Sequence, residues 1–103
     1  MARVRNRATR RDLNHKEIVE AFRRFGFEVL DVSGVPNAFD ILISLNGYCI
    51  AIEIKSKRTS KLTDGEQKFK ERWLAPYEIV YDVNDVSDIA LYVRSLKPSQ
   101  YEN

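Results

Sequence analysis

The chain has a single cysteine, Cys49, which excludes an intramolecular disulfide and makes a reducing cytoplasm the expected setting. It has no apolar run near the roughly 20 residues that a membrane helix requires, so no membrane partner is expected. The opening stretch, MARVRNRATRR, carries no apolar core behind its charges and is not read as a secretory signal. No internal repeat and no interdomain linker interrupts the 103 residues. With 44% hydrophobic and 31% charged residues, the composition is that of one soluble globular domain rather than a disordered chain.

Acid is missing from one region. The first eleven residues hold five positive charges (Arg3, Arg5, Arg7, Arg10 and Arg11) and no Asp or Glu. The remaining 92 residues carry twelve basic against fifteen acidic side chains, a net of −3. A basic arm over residues 1–11 on a mildly acidic body suits contact with phosphate, as in nucleic acid. A solubilising tail is the plainer alternative.

Apolar periodicity gives the elements. Ile18, Ala21, Phe22 and Phe25 recur at helical spacing over Leu13 to Phe25. Asn14 with Glu17 fits a capping box, Leu13 with Ile18 the accompanying staple, and Gly26 a stop. Phe27 to Val32 reads as a strand, and SGVPNA as a turn or loop. Two apolar runs follow, joined by Asn46-Gly47, the strongest local signal for a two-residue hairpin turn. Thr63 with Glu66 forms another capping box, opening a helix through Phe69, Trp73 and Leu74 to Pro76. Glu78 to Val83 is strand-like, and Asp85 to about Leu96 is a last helix. The order α-β-β-β-α-β-α predicts an α/β fold with a four-stranded mixed sheet, its last strand parallel to the third. Residues 97–103 form a polar tail.

The hairpin fixes a register. Leu45 pairs with Tyr48, and counting outward pairs Ile41 with Ile52 and then Asp40 with Glu53. One face carries Ile41, Ile43, Leu45, Tyr48, Ile50, Ile52 and Ile54. The other carries Asp40, Leu42, Ser44, Cys49, Ala51, Glu53 and Lys55, gathering its charges away from the turn. Carboxylates directly opposite each other repel, so a cation should offset them. Lys55 offsets part of this, and Mg²⁺, which takes oxygen ligands and needs only one or two protein carboxylates, offsets it better. Such an ion polarises a phosphate oxygen and activates water, and a lysine beside it balances charge. An exposed sheet face with an ordinary Glu–Lys pair remains the alternative reading of these residues.

Asp40 followed by Glu53-Ile54-Lys55 on the next strand resembles the PD-(D/E)xK nuclease superfamily. Within it the chain is most similar to the virus-type replication-repair nucleases (VRR-NUC), small proteins many of which come from phages. The likeness runs from about Asp12 to Leu96 through DLNHKEIVEAFRRFGFEVLDVSGVP, FDILI, IAIEIKSK and LTDGEQKF. It implies a single nuclease domain over residues 12–96 with a restriction-endonuclease-like αβββαβ(α) core. It also implies Mg²⁺ or Mn²⁺ as cofactor, DNA as substrate, and a homodimer cutting branched DNA such as four-way junctions, in host cytoplasm if the chain is phage-encoded. By the same resemblance Asp40 and Glu53 are the principal metal ligands, the carbonyl of Ile54 a backbone ligand, and Glu17 an acidic residue approaching the metal. Lys55 is the catalytic lysine, and Gln67 positions Lys55 or substrate. Phe39 stands where the family has proline. Aligning on Asp40 keeps the hairpin spacing to Glu53, whereas Asn37, in GVPN, lies outside that register.

Several of these residues have plainer roles. Glu17 serves equally as a helix cap, and Gln67 as a solvated helix residue. His15 reads as an exposed first-turn residue, and Phe69 with Trp73 as core. Lys57, Arg58 and Lys61, after the site, either hold a phosphate backbone or belong to a solvated loop. The leading expectation is a metal-dependent endonuclease. The alternatives are a non-catalytic nucleic-acid-binding module of the same fold and a structural phage component with a decayed site.

Overall fold

The computed structural model describes residues 14–98. The basic arm, Leu13 and residues 99–103 lie outside this range. Residues 14–24 are helical (α1), followed by β1 (Glu28–Asp31), β2 (Ile41–Leu45), β3 (Tyr48–Ile54), α2 (Asp64–Arg72), β4 (Tyr77–Val80) and α3 (Val83–Ser95). Asn14 is already helical, so it does not stand before the helix as the expected capping residue, and Leu13 of the expected staple is outside the described residues. α1 closes in a Schellman motif. The Gly26 N–H donates to the Arg23 carbonyl and the Phe27 N–H to that of Phe22, with Gly26 at φ 97°. Phe22 and Phe27, the residues that this motif brings together, meet edge to face with centroids 5.3 Å apart.

The sheet has the order β1-β2-β3-β4. β1–β2 and β2–β3 are antiparallel and β3–β4 parallel, the helix α2 making the crossover. Asn46 (φ 56°) and Gly47 (φ 85°) both take left-handed conformations, as a type I′ turn requires. The resulting register runs from Leu45↔Tyr48 to Ile41↔Ile52, as the turn predicts.

That register gives the sheet two unlike faces. Ile41, Ile43, Ile50 and Ile52 pack with Ile18 and Phe22 of α1 and Val86, Ala90 and Val93 of α3 in the main core. Each fully buried aliphatic side chain there contributes about 1.5–3 kcal/mol. On the other face Ala51 and Leu42 meet Phe39, Phe69, Trp73 and Tyr77 in a smaller aromatic core beneath α2. Phe39 stands 5.2 Å from Trp73 and 5.8 Å from Phe69, centroid to centroid. Phe69 and Trp73 are therefore core residues. Phe39, 9% exposed, is the plug of this second core.

Three boundaries differ from expectation. α2 ends at Arg72 with Trp73 as its cap, and Leu74 is 96% exposed rather than on the packed face. β4 stops at Val80, and Val83 begins α3. The reason is Asp82, whose carboxylate caps α3 by accepting the Asp85 N–H. Among the described residues no helix is long and apolar enough to cross a membrane.

Candidate active site

The ends of β2 and β3 away from the hairpin turn build the site. Regular pairing stops at Ile41↔Ile52. Asp40 does not continue it as a simple partner of Glu53. Its N–H donates to the Ile52 carbonyl at 3.0 Å, so Asp40 and Ile41 both oppose Ile52, the two-against-one pattern of a β-bulge. The bulge re-aims Asp40, whose Oδ2 accepts the Ile54 N–H at 2.8 Å. Asp40 and Glu53 are the two buried charged residues among those described, 7% and 5% exposed.

Lys55 lies just past the end of β3. Its Nζ is 3.5 Å from Glu53 Oε2 and 2.9 Å from Glu66 Oε1. That same Glu66 oxygen accepts the Thr63 N–H at 2.9 Å, so the capping box of α2 also anchors the lysine. Two carboxylates thus hold one ammonium. Burial, with the charges of Asp40 and Glu66, pushes Glu53 up to about 8 against the pull of Lys55. Lys55 is raised: burial lowers it, but the hydrogen bond and charge of Glu66 and the charge of Glu53 outweigh that. Glu66 is lowered because the Thr63 N–H and Lys55 outweigh its burial. Tyr77, paired with Ala51 across β3–β4, has a buried hydroxyl without a hydrogen-bond partner among the described atoms. Burial raises its pKa, and so do Glu53, Glu66 and Asp40.

Asp40, Glu53, Lys55 and Glu66 line a cavity of about 710 Å³ together with His15, Asn37 and Lys61. Among the described residues no three His, Cys, Asp and Glu side chains form a ready-made metal cage. The donor set is instead two buried carboxylates, Asp40 and Glu53, lining one cavity. That chemistry fits Mg²⁺ or Mn²⁺, hard ions that bind through few carboxylates and keep waters. Asp40 and Glu53 would hold the ion, with the Ile54 carbonyl in the same cavity wall.

Other expected site residues fall elsewhere. Glu17 is exposed beside Lys16, Glu20 and Arg24 and does not line the cavity. It lies about 200° round the helix from His15, which does. Gln67 points away, its Nε2 donating to Glu71 Oε2 at 3.1 Å, and the preceding residue, Glu66, takes the contact with Lys55. Arg58 is a tether rather than an open phosphate contact. Its guanidinium pairs with Asp85 at 2.8 Å and Asp82 at 3.5 Å and lies 4.7 Å from the centroid of the Tyr81 ring. Lys57 is exposed in the turn closed by the Ser60 N–H to Lys57 carbonyl bond. Lys61 lines the cavity. Arg3, Arg5, Arg7, Arg10 and Arg11 lie outside the described residues.

Glu66 and His15 were not legible as site residues. A signal existed for Glu66, because a capping-box glutamate turns back toward the preceding strand end. Asn37, at φ 62°, stands outside the β2 ladder against the start of α2. Comparison of the chain with family models, curated proteins and solved structures gave no match.

Proposed function

We propose that the protein is a metal-dependent endonuclease hydrolysing DNA phosphodiester bonds, of the PD-(D/E)xK type that its Asp40…Glu53-Ile54-Lys55 pattern resembles. The observation that carries this reading is the burial of Asp40 and Glu53 on one cavity, with Lys55 3.5 Å from Glu53. Stability alone does not favour Glu53 at this position, because burial works against its charged form. The resemblance, the basic arm and the open cavity point the same way.

A divalent cation held by Asp40 and Glu53 supplies polarisation of a phosphate oxygen and an activated water. The chain's own residues do the rest. Lys55 donates to a phosphate oxygen and balances the charge that builds on the pentacovalent transition state. Glu66 holds Lys55 in place through its 2.9 Å contact. The oxygen of water adds to phosphorus as one P–O ester bond breaks, and a proton given up by that water reaches the leaving oxygen through solvent. Lys61 at the cavity wall contacts the strand. Two copies related by a twofold axis would present two sites, which suits cutting both strands of a branched DNA in the cytoplasm.

The test pairs calorimetric titration of Mn²⁺ with a panel of linear, flap and four-way-junction DNAs incubated in Mn²⁺ or EDTA. The wild type is expected to bind Mn²⁺ and to cut in Mn²⁺ alone, and Glu53→Ala to do neither. DNA binding without a Mn²⁺ site that depends on Asp40 and Glu53 would make the chain a non-catalytic binding module instead.

A further inference from the structure

His15 stands on the cavity wall contributed by α1, facing the same space as Asp40, Glu53 and Lys55. Its side chain is 13% exposed, so it is not the solvated first-turn residue that its position in the chain suggests. Its Nε2 lies 2.8 Å from Asp31 Oδ2. Asp31 is itself locked, since its other oxygen accepts the Ser33 N–H at 2.9 Å and the Ser33 hydroxyl at 2.6 Å. Burial raises the Asp31 carboxyl, but the bonds from Ser33 and His15 outweigh that and hold it below its ordinary value. The imidazole is thus fixed by a carboxylate that is fixed in turn. Among the described residues Asp31 is its one hydrogen-bond partner, which leaves Nδ1 for a ligand in the cavity.

We infer that His15, oriented by Asp31, is a phosphodiester-contacting residue of the cavity that Asp40, Glu53 and Lys55 also line. With Nε2–H directed to Asp31, a ring protonated at both nitrogens would donate Nδ1–H to a non-bridging phosphate oxygen and so bridge two anions. Asp31 is a positioning residue and does not touch the substrate. Lys55, Lys61 and His15 all line this cavity, so a bound strand can meet all three. A purely structural role, tying α1 to the end of β1, would need only Nε2.

This inference rests on the nuclease reading for the identity of the ligand, and its test separates the two. His15 is the only histidine, so the ring Cε1–H resonance reports this site directly. The full chain in EDTA is titrated with a short single-stranded oligothymidylate, and binding is measured in parallel for His15→Gln. The glutamine amide keeps a donor for Asp31 and removes the second ring donor. The expected result is a saturable shift of the His15 resonance in the wild type. His15→Gln should bind about tenfold more weakly, the loss of one hydrogen bond to a charged group, with unchanged melting temperature. A resonance that stays still while wild-type protein cuts DNA in Mn²⁺ would overturn the role of His15 and leave the nuclease reading standing. A shift without any Mn²⁺-dependent cutting would support the phosphate contact and refute the nuclease reading. Equal binding by His15→Gln and wild type would make the pair with Asp31 a tether only.

Discussion

Replacing Glu53 by glutamine should make the metal-free protein more stable while destroying its activity. In the fold Glu53 is pushed up from 4.5 to about 8 by burial and by Asp40 and Glu66. The folded state therefore binds a proton that the unfolded chain releases. For a raised group, stability is fully present below the unfolded value and is lost as pH rises through the folded value. The window is thus pH 4.5 to about 8. At about 1.4 kcal/mol per pH unit, holding Glu53 neutral at pH 7 costs roughly 3 kcal/mol. A glutamine at this position would carry no such cost. It gives up a partner of Lys55, but Lys55 keeps Glu66 at 2.9 Å. The net gain for Glu53→Gln is therefore about 1–3 kcal/mol at pH 7, raising the melting temperature by about 4–8 °C per kcal/mol, and shrinking toward zero at pH 4.5. Thermal melts in EDTA at the two pH values, followed by circular dichroism, measure it. A variant less stable than wild type at pH 7, or a gain equal at both pH values, would refute the electrostatic account of this site.

The site's supports make further predictions. Glu66→Gln keeps an acceptor for Thr63 but loses the charge that holds Lys55, so cleavage should fall about tenfold with melting nearly unchanged. Gly65→Ala would place a Cβ 2.5 Å from Asn37 Oδ1, displacing the cavity wall and slowing cleavage. Adding Asn37→Gly, which suits the left-handed backbone there, should restore the rate. Lys61→Ala should reduce the slope of log affinity for DNA against log salt by about 1, whereas Arg58→Ala should leave that slope unchanged and lower the melting temperature. Arg58 also keeps Asp85 below its ordinary value, through their hydrogen bond. That contribution is present above the ordinary carboxylate value and disappears as pH falls through the lowered one, so the Arg58→Ala deficit should fade in acid.

Local chemistry was readable where one short rule decides the backbone. Asn46-Gly47 fixed the β2–β3 register, and from it followed the separation of the isoleucine face from the face of Asp40, Glu53 and Lys55. Thr63 and Glu66 marked the start of α2 for the same reason. What stayed hidden depends on contacts between distant segments. The bulge at Asp40 needs the Ile52 carbonyl, and the second role of Glu66 needs Lys55. Glu17 and Gln67 occupied the right helices at the wrong angle, while His15 and Glu66, one or two positions away, face the cavity. Arg58 looked like a phosphate ligand until Asp82 and Asp85 arrived from α3 to hold it. Phe39 makes sense only beside Phe69 and Trp73, which come from the far side of the crossover.

The central claim is that Asp40, Glu53 and Lys55 form a metal-dependent phosphodiester-cleaving site. Its most direct test is the single-turnover cleavage rate of wild type and Lys55→Ala on the preferred DNA of the panel, in Mn²⁺. The fold of the variant is checked by the fluorescence of Trp73, the only tryptophan. The account predicts a folded variant at least about a hundredfold slower, the usual loss on removing a group that stabilises transition-state charge. A folded Lys55→Ala protein cutting at the wild-type rate would contradict it.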